Sequence, residues 1–220
     1  KGFSLPTAED NAFYGVIFSL PAAFLEVIFQ IEDSRNYYHF YHLLNFTLFF
    51  VASIFFYKLL LNRFLNTNIA LVGTLFFVLS PRIYASSFFN NKDLVFLSLS
   101  TIALYYCFKC LKKINYKNLL IFSIFAAMCT SSRIFGVIFP TSYIIFYLLS
   151  FSPHKKIIDK IKPIIFFSIS YYIFLVMFWP VLWSAPFENL FQAFEYFKVI
   201  DGFSIKMFFN GEYIDSDFLP

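Results

Sequence analysis

YHFYHLLNFTLFFVASIFFY, residues 38–57, runs for 20 residues without an Asp, Glu, Lys or Arg. A helix needs about 20 apolar residues to cross roughly 30 Å of hydrocarbon, so this stretch reads as a membrane span. Working outward from it with the same window gives further candidate spans near 68–87, 94–110, 118–132, 134–151 and 163–181. The stretches from 94 to 151 are short or barely separated and are expected to tilt or to leave half-buried ends. Composition points the same way. Of the 220 residues, 60% are hydrophobic and 14% charged, with a mean hydropathy of +0.69, whereas a soluble domain carries about 25% charged residues. Only 6 Gly and 3 Cys beside 36 Phe exclude a collagen-like, a disulfide-stapled and a disordered chain. The expected fold class is all-α, a multi-span helical integral membrane protein forming one domain over residues 1–220, with no internal repeat.

Charge sets the expected orientation. If the spans alternate, one side receives Lys58, Arg63, Lys109, Lys112, Lys113, Lys117, Lys155, Lys156, Lys160 and Lys162 with a single acid, Asp159. The remaining acids fall opposite. By the positive-inside rule the Lys-rich loops are cytoplasmic, which places the longer segments 1–37 and 182–220 outside. Both ends of the chain then lie outside. It opens on Lys1 and closes on Pro220 after a polar stretch, so it reads as an internal segment of a longer protein with an odd number of spans upstream. Ala12 to Gln30 is apolar but holds Pro21 and Glu26, and is expected to lie on the outer surface as a helix. Phe187, Leu190, Phe191 and Phe194 recur at i, i+3, i+4 and i+7 with Glu188, Asn189, Gln192 and Glu195 opposite, the pattern of an interfacial amphipathic helix. Trp179 and Trp183 flank Pro180 where the last span should leave the bilayer, as belt anchors do.

The densest candidate site is the outer turn Ser80-Pro-Arg-Ile-Tyr-Ala-Ser-Ser-Phe-Phe-Asn-Asn-Lys-Asp93. Asn90 or Asn91 can cap the following span, with Asp93 in its first turn. Ser131-Ser-Arg133 separates two spans at the same face. Two helix N-termini and three cations, Arg82, Lys92 and Arg133, are thus directed at one side, an arrangement suited to a phosphate at headgroup level. The plainer alternative is that each cation snorkels to lipid headgroups. Glu9 and Asp10 could accept a proton from an incoming hydroxyl if they face a cleft, or serve as solvated loop acids; Glu212, Asp215 and Asp217 carry the same two readings. Cys107 and Cys110 have redox spacing but lie on a hydrophobic helix without a βαβ context. His39, His42 and His154 do not form a metal site by spacing. No nucleotide-binding or zincin motif is present, no cofactor is called for, a divalent metal is left open, and nothing points to nucleic acid.

Six stretches together resemble a known family. Phe76-Phe-Val-Leu-Ser-Pro-Arg-Ile-Tyr-Ala-Ser-Ser-Phe-Phe-Asn-Asn-Lys-Asp93 is similar to the outer loop of bacterial family 39 glycosyltransferases, relatives of protein O-mannosyltransferases and of the aminoarabinose transferase of lipid A. Glu9-Asp-Asn-Ala-Phe-Tyr-Gly15, Tyr41-His-Leu-Leu-Asn45, Trp179-Pro-Val-Leu-Trp-Ser-Ala-Pro186, Gly211-Glu-Tyr213 and Leu219-Pro220 look like further parts of that pattern. The resemblance implies a GT-C fold in the bacterial inner membrane. It implies transfer of a sugar, on the outer (periplasmic) face, from a polyprenyl-phosphate donor to a protein, lipid or glycan acceptor. It also implies single displacement at the anomeric carbon, with Arg82, Lys92 and Arg133 on the departing phosphate. The family's catalytic acid sits in an Asp-Glu pair in the first outer loop. Glu9-Asp10 has the reverse order, so the resemblance implies that the main pair lies upstream and leaves Asp10 as an acceptor contact. The competing classes are a lipid-linked glycan flippase or transporter and a glycan ligase or polymerase. A conduit should carry ionisable groups near span centres, whereas here they crowd the boundaries.

Overall fold

The computed structural model describes residues 15–150, 157–198, 206–209 and 211–215. Glu9, Asp10, His154, Lys155, Lys156, Asp217 and Leu219-Pro220 lie outside the described residues. Nine α-helices occur among the described residues: α1 Ser19–Ile28, α2 Ser34–Phe64, α3 Thr67–Leu79, α4 Pro81–Phe89, α5 Asp93–Lys112, α6 Tyr116–Ser132, α7 Ile138–Leu149, α8 Ile157–Phe178 and α9 Pro186–Lys198. Two 3-10 turns, Ile134–Val137 and Pro180–Trp183, link α6 to α7 and α8 to α9. The molecule is an all-α helical membrane protein to which one small feature is added. Strands β1 (Lys206–Phe209) and β2 (Glu212–Asp215) pair antiparallel, Phe209 opposite Glu212. The two-residue connection between them ends on Gly211 at φ +92°, a conformation that glycine adopts without a Cβ penalty.

Helices α2, α5 and α8 are long and apolar enough to cross a membrane. The segment expected as one rod over 68–87 is not one rod. It breaks between α3 and α4 with a bend of 62°. Pro81 supplies no N–H and drives the preceding residue out of the helical region, and Ser80 sits at φ −55°, ψ 118°. Pro81 then opens α4 at the first helical position, where the missing donor costs nothing. At α1, ten residues are too few to cross.

The core lies between α5, α6, α7 and α8. Phe122 stacks on Phe167 at 5.0 Å, Tyr143 packs edge-on against Phe122 at 5.3 Å, and Ala103, Cys110, Ala126 and Cys129 fill the close approaches between them. Half of the apolar window of α5 is covered by protein, against 22% for α2 and α8, so α5 is the most enclosed of the three. Hydroxyls within the helices bond back to their own backbone, as an apolar surround demands: Ser53 to Phe49 O, Thr101 to Leu97 O and Thr130 to Ala126 O.

Trp179 departs from its expected role. It is wholly buried among Leu175, Leu182, Ala193 and Ala127 and so does not stand in an interfacial belt. Trp183 remains half exposed, its indole N–H donating to Val176 O at 2.8 Å. In α9 the protein-facing stripe is Asn189, Leu190 and Ala193, because the Asn189 amide donates to Val181 O at 2.6 Å and to Ser184 Oγ at 3.0 Å. Phe191 and Phe194 are exposed, and Phe187, though exposed, stacks on Tyr172 of α8 at 5.2 Å.

Candidate functional site at the α4–α5 corner

An amide inside a span is costly unless it is partnered, and the Asn45 Nδ2 is partnered at this corner while its Oδ1 is buried without a partner among the described residues. Asn45, buried in α2, finds its partners at the end of α4, donating to Ser87 O at 3.0 Å and Ser86 O at 3.4 Å. These belong to the last turn of α4, where Ser86 O also accepts from Asn90 N at 2.9 Å and Ser87 O is the carbonyl left to the Asn45 amide. Asn45 therefore caps α4 from a neighbouring helix, and α4 carries Arg82. The turn into α5 is capped in turn by Asn90, whose Oδ1 accepts from Lys92 N at 3.2 Å and Asp93 N at 2.9 Å, as the sequence suggests. The Asn90 Nδ2 donates to Asp93 Oδ2 at 3.2 Å.

Asp93 uses its other oxygen to accept from Arg133 Nη2, an ion pair that ties the start of α5 to the end of α6. The Asp93 side chain is 70% exposed and that of Arg133 31%, so solvent screens the pair. Arg133 stands at the C-terminus of α6, and the chain continues into a 3-10 turn in which Arg133 O accepts from Gly136 N at 2.7 Å. The second helix N-terminus expected here is thus a 3-10 turn; the α-helices that open beside these cations are α4, at Pro81 next to Arg82, and α5, at Asp93 after the loop.

Loop 90–92 divides two clefts. One, of about 160 Å³, is lined by Arg82, Ser86, Asn90, Asp93, Leu94 and Leu97. The other, of about 370 Å³, is lined by residues 15–19 together with Asn91, Lys92, Val95 and Ser132. Residue 15 has to be glycine here. Its N–H donates to Ser131 O at 2.7 Å, and a Cβ would stand 2.4 Å from that oxygen. The structure therefore brings Arg82, Asp93 and, through Asp93, Arg133 to one cleft, and turns Lys92 to the other. All four lie at one end of the bundle, but the three cations do not converge on a point.

Cys107 and Cys110 are buried in the core, and His39 and His42 lie on α2. Among the described residues no three His, Cys, Asp or Glu come together as metal ligands do. The bond from Asn45 and the Asp93–Arg133 pair are what the residue pattern alone does not disclose. A lone amide inside an apolar span was the available signal for the first.

Residues 20–183 match the family model described as dolichyl-phosphate-mannose-protein mannosyltransferase, a match that takes in the whole lining of the first cleft and, of the second, all but residues 15–19. No curated protein and no solved structure matches the chain. With its apolar helices and a match over most of its length, the chain belongs to the dolichyl-phosphate-mannose-protein mannosyltransferase family, membrane glycosyltransferases that draw their sugar from a lipid-linked donor.

Proposed function

We propose that the protein moves a sugar from a polyprenyl-phosphate donor to a protein, lipid or glycan acceptor at the outer face of the bacterial inner membrane. The observation that carries this reading is the family match across a corner where Arg82, Lys92 and Arg133 gather beside the start of α5. In such a transfer the acceptor hydroxyl oxygen bonds to the anomeric carbon as the bond from that carbon to the lipid phosphate breaks. The acceptor proton passes to a carboxylate, and the departing phosphate gains negative charge. Cations and unpaired helix N–H groups placed where that charge develops lower the barrier. Arg82 holds the phosphate in the cleft that Asp93 also lines, and Lys92, turned to the neighbouring cleft, adds positive potential from across loop 90–92. Arg133 joins them by exchanging the Asp93 carboxylate for a phosphate oxygen, an exchange made cheap by the exposure of the pair. Asp10 contacts the acceptor.

The test uses the intact protein in proteoliposomes with radiolabelled polyprenyl-phosphate sugars. Wild-type turnover that collapses in Arg82→Ala and Arg133→Ala, with elution and thermal midpoint unchanged, supports the reading. Unchanged turnover makes these arginines headgroup anchors, and no turnover with any donor turns the assignment toward a flippase.

A further inference from the structure

The opposite end of α5 carries a second built site. Twenty residues of helix separate its ends by about 30 Å, so Lys109 and Lys112 lie far from the α4–α5 corner. There a cleft of about 530 Å³ opens between the last turns of α2 and α5. Its cations are Arg63, Lys109 and Lys112, and no Asp or Glu lines it. Lys112 Nζ reaches across to donate to Asn62 O at 3.2 Å, which joins the two helix ends. Lys109 Nζ stands 5.7 Å from the centre of the Tyr105 ring. The two helix C-termini offset roughly half an elementary charge each, which leaves the cleft positive against three cations.

Charge and apolarity are layered along the helix axes. The cations occupy the terminal turns beside Phe64 and Phe108, while Leu59, Leu60 and Tyr105 line the same cleft about one turn deeper. A soluble anion would use the outer layer and leave the inner one wet. A phosphate-headed lipid uses both, its head on the cations and its hydrocarbon along the apolar walls. We infer that this cleft binds an anionic glycerophospholipid, at the end of the bundle remote from the candidate active site. The volume falls within the range of about 300–1,000 Å³ found for small-molecule sites, enough for a head and the first part of its chains.

The experiment is native mass spectrometry of the intact protein released from detergent with added phosphatidylglycerol, phosphatidylcholine or polyprenyl phosphate. The wild type should retain phosphatidylglycerol over phosphatidylcholine. Retention should fall roughly tenfold or more in R63Q/K109Q/K112Q, but not in K113Q/K117Q, which removes two exposed lysines outside the cleft. Phe108→Ser should weaken lipid retention without changing the response to inorganic phosphate. Should the triple variant not fold, loss of wild-type retention on raising the salt concentration tests the same charges. Equal retention of phosphatidylcholine, retention untouched by the triple variant or by salt, or displacement of the lipid by inorganic phosphate would each overturn the inference. Preference for polyprenyl phosphate would overturn it as well, by making the cleft part of the donor's route.

Discussion

Asn45 shows how one side chain can set a site it does not enter. Its amide spends its donor on carbonyls of the last turn of α4, and α4 presents Arg82 to the cleft. Replacing it with Leu keeps the branched shape but enlarges the side chain and removes the bond, leaving the Ser87 carbonyl unpaired at a cost of about 1–3 kcal/mol. Asn45→Leu is expected to lower the thermal unfolding midpoint in detergent and to reduce sugar release, whereas a midpoint equal to wild type would show that α4 is held by packing alone. Gly136 makes a different demand. A Cβ there would meet Cys129 C and Thr130 N at 2.4 Å, both backbone atoms that cannot rotate away. At Gly73 the same atom would meet only the end of the Leu60 side chain at 2.6 Å. Gly136→Ala should therefore destabilise by about 1–3 kcal/mol or more. Gly73→Ala, helped by a helix preference of up to about 1 kcal/mol, should stay near neutral. Comparable midpoints for the two variants would contradict the close approach at Gly136. Of these residues the sequence marks Asn45 as unusual, since an amide amid Leu and Phe must find a partner. It does not mark Gly136, because close backbone approach is a property of two segments and not of one.

At the scale of elements, the apolar stretches were legible as helices, and three of the expected spans, α2, α5 and α8, are long enough to cross, whereas α6 with 17 residues and α7 with 12 are shorter than a full crossing needs. The cap at Asn90 follows from local chemistry. The break between α3 and α4 was obscured. A window average runs straight through Ser80-Pro81, although the proline itself announces the end of a helix. The tie between α5 and α6 could not be read at all, since Asp93 and Arg133 are 40 residues apart. A double-mutant cycle separates the two roles open to that tie. Asp93→Asn and Arg133→Gln should each change stability by less than about 1 kcal/mol, because the pair is exposed. If Arg133 turns to the donor phosphate, Arg133→Gln loses sugar release while Asp93→Asn, which releases the arginine from this carboxylate, keeps most of it. Equal losses in both variants, with the double variant no worse than either, would make the pair a strut that aligns α5 with α6.

At the scale of the whole molecule, the question is which end of the bundle faces the cytoplasm, and the charges frame it. Lys58, Arg63, Lys109, Lys112, Lys113 and Lys117 cluster where α2 and α5 end and α6 begins, whereas Arg82, Lys92, Asp93 and Arg133 share the other end. Basic residues beside short connectors are held on the cytoplasmic side, so the α4–α5 corner should face out. The native thiols leave the test clean, since Cys107, Cys110 and Cys129 are all buried. A single cysteine replacing the exposed Phe89, next to the corner, should react with a membrane-impermeant maleimide in intact cells. One replacing the exposed Lys113, at the far end of α5, should react only after permeabilisation. The reverse pattern would turn the candidate site inward and remove the ground for an outer-face acceptor. Labelling of both from one side would show that α5 does not cross the bilayer. That result would undo the orientation while leaving the packing of α5 against α6 and α2 intact, because the core is built from contacts among these helices and not from their direction in the membrane.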